Sequence, residues 1–160
     1  MKWFLSMVSH LSTMLNVIAG AALVAMMLLA VSDVVLRYLG WPILGAYELV
    51  SMGAAVVIGF AVPHTSWARG HISVDFLIER LPESRRGVML VLTRIMGIAL
   101  FAAIGAYLIK KGLYMCSTGQ VSLTLEMPFY PVAWGIAFSC FAECLVLVCD
   151  IVKVARREYV

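Results

Sequence analysis

Charge is what this sequence has least of. Asp, Glu, Lys and Arg supply 13% of its residues, against 63% hydrophobic ones, whereas a soluble domain carries about 25% charged residues. That shortage excludes an ordinary water-soluble globule. Strictly alternating polar and apolar segments are also missing, which excludes a transmembrane β-barrel. The four cysteines, Cys116, Cys140, Cys144 and Cys149, lack metal-ligand spacing. Three of them lie in or beside the last apolar stretch, where cysteine behaves as a small hydrophobe. No nucleophile–base pair, phosphate-cradling loop or zinc-spaced cluster stands out. An enzyme is therefore not expected, and neither is a metal or a cofactor. Internal repeats, low-complexity tracts and a second domain are absent as well.

What the chain does have is long apolar runs. Leu11–Ser32 and Leu49–Ala68 contain no Asp, Glu, Lys or Arg, and each matches the roughly 20 residues that cross a hydrocarbon core of about 30 Å. Val88–Ile109 is interrupted only by Arg94, and Phe129–Cys149 only by Glu143. Backbone groups in lipid must pair within their own segment, so such runs cross as helices. The expectation is an all-α integral membrane protein, one membrane domain over residues 1–160, with spans near 11–36, 44–67, 88–109 and 129–149. The first run is longer than a signal-peptide core of about 7–15 residues and lacks a convincing cleavage site, so it is expected to stay as the first helix. Between spans two and three, Val74, Leu77, Ile78 and Leu81 recur with helical spacing. Gly70–Pro82 is therefore expected to form a short amphipathic cytoplasmic segment at the membrane surface.

Lys and Arg set the orientation. Lys2, Arg69, Arg80, Arg85, Arg86, Lys153, Arg156 and Arg157 fall on one side, and Arg37, Lys110 and Lys111 on the other. The positive-inside rule places the first group, and so both termini, in the cytoplasm. The net charge of +3 suits anionic lipid and requires no nucleic acid. Trp3, Trp41, Trp67 and Trp134 fall near expected span ends, as an aromatic belt would.

Ionisable groups inside membrane segments are costly and draw attention to sites. Asp33 and Arg37 share a helix face at the outer end of span one, and Glu48 begins span two. The plainer reading is that they tie the first hairpin together. Arg94 lies about 9 Å into span three and Glu143 about 9 Å from the same end of span four, at 1.5 Å per residue. An intramembrane Arg94–Glu143 salt bridge is therefore expected. The outer loop, Lys110–Pro128, reads as irregular. Ser51, Ala55 and Gly59 on span two, and Ala99 and Ala103 on span three, form small-residue stripes suited to close helix packing. Of the histidines, His10, His64 and His71, none stands at mid-membrane as an axial haem ligand would.

With these pieces placed, the chain resembles the small membrane subunit of TRAP transporters, the DctQ-like family. The resemblance rests on Asp33-Val34-Val35-Leu36-Arg37-Tyr38 followed by Pro42 and Glu48-Leu49, on Gly70-His71-Ile72-Ser73-Val74-Asp75, and on Ser122-Leu123-Thr124-Leu125-Glu126-Met127-Pro128. It implies a bacterial inner-membrane scaffold subunit, of the unfused kind, beside a large membrane subunit that imports an organic acid on a sodium gradient. A periplasmic binding protein would deliver the substrate. The resemblance further implies that Asp33, Arg37 and Glu48 organise the outer end and that His71 and Asp75 fix the cytoplasmic loop, with Glu126 a further structural or partner-interface candidate. Two other readings compete. One is a haem- or quinone-associated anchor subunit of a respiratory enzyme. The other is a small homo-oligomeric transporter or channel, which would want a mid-span carboxylate where Glu48 and Glu143 both stand towards the ends.

Overall fold

The computed structural model describes residues 2–68 and 83–155. Among these residues there are four helices: α1 (Lys2–Tyr38), α2 (Ala46–Trp67), α3 (Glu83–Thr118) and α4 (Tyr130–Ala155). All four are long and apolar enough to cross a membrane, over Leu5–Tyr38, Ala46–Trp67, Met89–Thr118 and Tyr130–Val152. The expected amphipathic segment Gly70–Pro82, with His71 and Asp75, lies outside the described residues. The helices alternate in direction. Residues 39–45 and 119–129 thus share one end of the bundle, the loop end, and the outer ends of α1 and α4 mark the other, the termini end.

Glycine punctuates the helices at the loop end. After α1, Gly40 has a φ of 83°, its N–H donates to the Arg37 carbonyl at 3.2 Å, and the Trp41 N–H donates to the Leu36 carbonyl at 2.9 Å. This is a Schellman ending, which requires the left-handed conformation that glycine adopts without strain. After α3, Gly119 has a φ of 63° and the Gln120 N–H reaches the Met115 carbonyl at 3.1 Å. The sequence suggested that the third span stops before Lys110 and Lys111, yet α3 continues to Thr118. Lysine is a good helix former whose long stem reaches towards the headgroups, so charge alone does not stop a helix.

Packing is uneven. α3 lies against α4 and, among the described residues, against no other helix; α2 packs on both α1 and α4, and α1 touches α4 more lightly. α4 is therefore the hub, with 44% of its apolar window buried against 11% in each other helix. Its inner face carries Ala137, Ser139, Ala142, Glu143, Val146 and Cys149.

The α3–α4 contact is a glycine seam. A methyl group at Gly97 would stand 3.1 Å from Leu147, one at Gly105 3.2 Å from Phe141, and one at Gly112 would overlap the Trp134 indole. Spacings of eight and seven residues return to one helix face, so these glycines let the two backbones approach. Ala99 and Ala103, the small residues expected to do this, are exposed instead. On α2, Gly59 meets Ile136 of α4 and Gly53 meets Met26 of α1. The stripe Ser51–Ala55–Gly59 thus engages α4 at its Gly59 end. Ser51 is exposed, and its hydroxyl donates back to the Glu48 carbonyl at 2.8 Å.

Pro63 explains a further link. Buried within α2, it has no N–H to give the carbonyl four residues earlier. That carbonyl belongs to Gly59, and it accepts the Ser139 hydroxyl of α4 at 2.6 Å. A break in one helix becomes a hydrogen bond between two.

Candidate functional site

Polar chemistry gathers at the two ends of the bundle. At the loop end, Asp33 is buried while the Arg37 side chain is 68% exposed. Arg37 donates to one Asp33 oxygen at 2.6 Å, and the Ile43 N–H donates to the other at 3.0 Å. Asp33 therefore does two things: it holds Arg37 by i,i+4 pairing and anchors the turn that leads into α2.

Glu48 does not join that pair. Its two oxygens accept the backbone N–H groups of Thr124 at 2.8 Å and Leu125 at 3.1 Å. A carboxylate on the first turn of α2 thereby grips the loop between α3 and α4. The loop has a defined shape where the sequence read as irregular. Val121 and Pro128 form an antiparallel bridge, the Ser122 N–H donates to the Met127 carbonyl at 2.9 Å, and the Met127 N–H donates to the Ser122 hydroxyl at 3.3 Å. Glu126 turns the chain with a φ of 52° and is exposed. Leu125 packs directly over Gly45, where any side chain would collide with it. Leu123, at the tip, is 99% exposed.

At the termini end the structure corrects the expected ion pair. Arg94 Nε stands 2.7 Å from Asp150 Oδ2, not beside Glu143. Register is the reason. The seam sets Gly97 against Leu147, so three residues further towards the termini end are Arg94 on α3 and Asp150 on α4. Glu143 points to α2, where the Ser66 hydroxyl donates to its Oε1 at 2.6 Å. Glu143 is only 1% exposed, and its Oε2 has no hydrogen-bond partner among the described residues. Nearby, Val8 of α1 packs on Val146 and Cys149.

The expected site residues therefore fall into three groups. Asp33 and Arg37 bond each other, and Glu48 joins the same end by gripping the Thr124–Leu125 backbone. Arg94 and Glu143 lie at one end but take different partners. His71 and Asp75 lie outside the described residues. Sequence reasoning missed Asp150, Ser66 and Ser139. Of these, Ser139 had a visible signal in Pro63, whose missing N–H obliges some other donor to serve Gly59.

No curated protein matches the chain. A family model does. It describes the DctQ component of tripartite ATP-independent periplasmic transporters and matches residues 26–157. The match takes in both polar ends and the whole of α2, α3 and α4. It is a family of transporter components rather than of enzymes, and it leaves the respiratory-anchor reading without support. With four membrane-length helices and this match, the chain belongs to the DctQ family of tripartite transporter components.

Proposed function

We propose that the chain is the small scaffold subunit of a sodium-coupled transporter importing an organic acid. A large membrane subunit would carry the substrate and sodium sites, and a periplasmic binding protein would deliver the substrate. The observation that carries this reading is where the charges stand. Asp33, Arg37 and Glu48 are spent at the loop end, Arg94 with Asp150 at the termini end, and α4 presents no acidic side chain towards the loop end from Glu143. A helix bundle with its charges committed at its ends suits a scaffold better than a translocation path of its own.

The same reading gives an orientation. Lys and Arg are concentrated on the termini side, so that side faces the cytoplasm of a bacterial inner membrane. The loop end then faces the periplasm, where Arg37, Glu126 and the hairpin held by Glu48 stand nearest an arriving binding protein.

Reconstitution into vesicles tests it. Chain, large subunit and binding protein together should take up an organic acid only under an inward sodium gradient, and the chain alone should take up none. Uptake by the chain alone, or uptake indifferent to sodium, would contradict the proposal.

A further inference from the structure

The first half of α1 turns polar groups away from the bundle. Val8, Ser12, Leu15 and Ala19 are its buried face, at 1%, 1%, 4% and 3% exposure. Ser6, His10 and Thr13 lie on the opposite side and are exposed, at i, i+4 and i+7 with Val17 continuing the line. Asn16 flanks this strip, half-buried. Thr13 satisfies its own hydroxyl by donating to the Ser9 carbonyl at 2.9 Å. The His10 imidazole and the Asn16 amide have no hydrogen bond among the described residues.

Depth makes this costly in lipid. Val8 packs beside Val146 and Cys149, one residue from the Arg94–Asp150 pair. Asn16 is eight residues further towards the loop end, about 12 Å deeper at 1.5 Å per residue, within the uncharged run Leu11–Ser32. Acyl chains offer an amide nothing to bond, and polar side chains in membrane helices accordingly face protein or water. Above Asn16 the same open side carries exposed Val17, Val24 and Leu28 with small residues between them. A methyl group added at Gly20 would meet nothing within 4 Å, and Ala21 is exposed. Hydrogen-bonding side chains beside small ones are the means by which membrane helices associate.

We infer that this outward face, Ser6–His10–Thr13 with Asn16 and Gly20, receives a transmembrane segment of the large membrane subunit, one carrying polar groups that meet His10 and Asn16. The inference rests on the scaffold reading above. It names α1 as the docking helix in preference to α3, whose open side mixes Leu92, Met96, Leu100 and Tyr107 with exposed Ala99, Ala103 and Ala106 but has no amide or imidazole side chain between Met89 and Ile109. The face precedes Met26, where the match to the family begins.

Photo-crosslinking in native membranes tests it. A photoreactive residue replaces Met14 or Val17 on the α1 face, or Leu100 on α3, and the linked product is identified by mass. The expected result is a link to the large membrane subunit from positions 14 and 17 and none from position 100. Combining His10→Leu with Asn16→Leu should lower recovery of the large subunit about threefold for each hydrogen bond lost, the effect of roughly 0.6 kcal/mol. Links from position 100 alone, links to a second copy of this chain, or no protein link while the large subunit still co-purifies would each overturn the assignment. Failure of the large subunit to co-purify with the unsubstituted chain would instead overturn the scaffold reading beneath it.

Discussion

Ser139 of α4 donates its hydroxyl to the carbonyl of Gly59 in α2 at 2.6 Å, at the backbone position that Pro63 leaves unserved. Interhelical hydrogen bonds in membranes average about 0.6 kcal/mol and reach about 1.7. Ser139→Ala should therefore destabilise the protein by about 1 kcal/mol in a denaturant titration. Pro63→Ala restores the helix's own N–H to Gly59, so Ser139→Ala should cost much less in that background. Equal costs in both backgrounds would mean that the proline gap is not what Ser139 serves.

The termini end gives a second prediction. Arg94 and Asp150 are 20% and 13% exposed, so breaking the pair should cost about 2 kcal/mol, less than the roughly 3–5 kcal/mol of a fully buried pair. In double-mutant cycles, Arg94→Ala should couple strongly to Asp150→Ala, its ion-pair partner, and only weakly to Glu143→Ala. Strong coupling between Arg94 and Glu143 with none to Asp150 would reverse the assignment.

Glu48 should control the loop and little else. Glu48→Ala removes the acceptors of the Thr124 and Leu125 N–H groups. Hydrogen exchange across residues 119–129 should then accelerate while the helices keep their protection. Glu48→Gln, which retains one acceptor oxygen, should fall between the two. A loop whose exchange is unchanged in Glu48→Ala would show that Leu125 packing over Gly45 holds it unaided.

The seam separates two kinds of small residue on α3. Gly105→Leu should push α3 from α4 and cost several kcal/mol, because Phe141 and Cys140 lie within 3.4 Å of an added methyl group. Ala103→Leu, on the exposed side, should change stability by less than about 0.5 kcal/mol. Thermal unfolding of the two variants in detergent decides it.

These particulars mark what a sequence can carry. Apolar runs of spanning length reveal four helices because lipid leaves the backbone no alternative; the α1 and α3 runs fall inside observed helices, and those of α2 and α4 overrun theirs by one residue each, Ala68 and Phe129. The partner of Arg94 was not legible. Ending the fourth span at Cys149 set Asp150 aside, whereas α4 continues to Ala155 and keeps Asp150 on the α3 side. The choice between Asp150 and Glu143, seven residues apart on nearly the same face, depends on helix register, which the glycine seam fixes. Seam glycines spaced by seven and eight escape a search for small residues every four. Glu48 was recognised as a residue of interest, but its partners are backbone N–H groups 76 and 77 residues away, and backbone donors carry no mark in a sequence.

On the proposed reading, this chain works as one part of a larger transporter. Affinity purification of the tagged chain from its native membrane, with quantitative mass spectrometry, tests it most directly. A large multi-span permease should be recovered at close to one copy per copy of this chain. Recovery of the chain by itself, or with redox subunits in place of a permease, would contradict it.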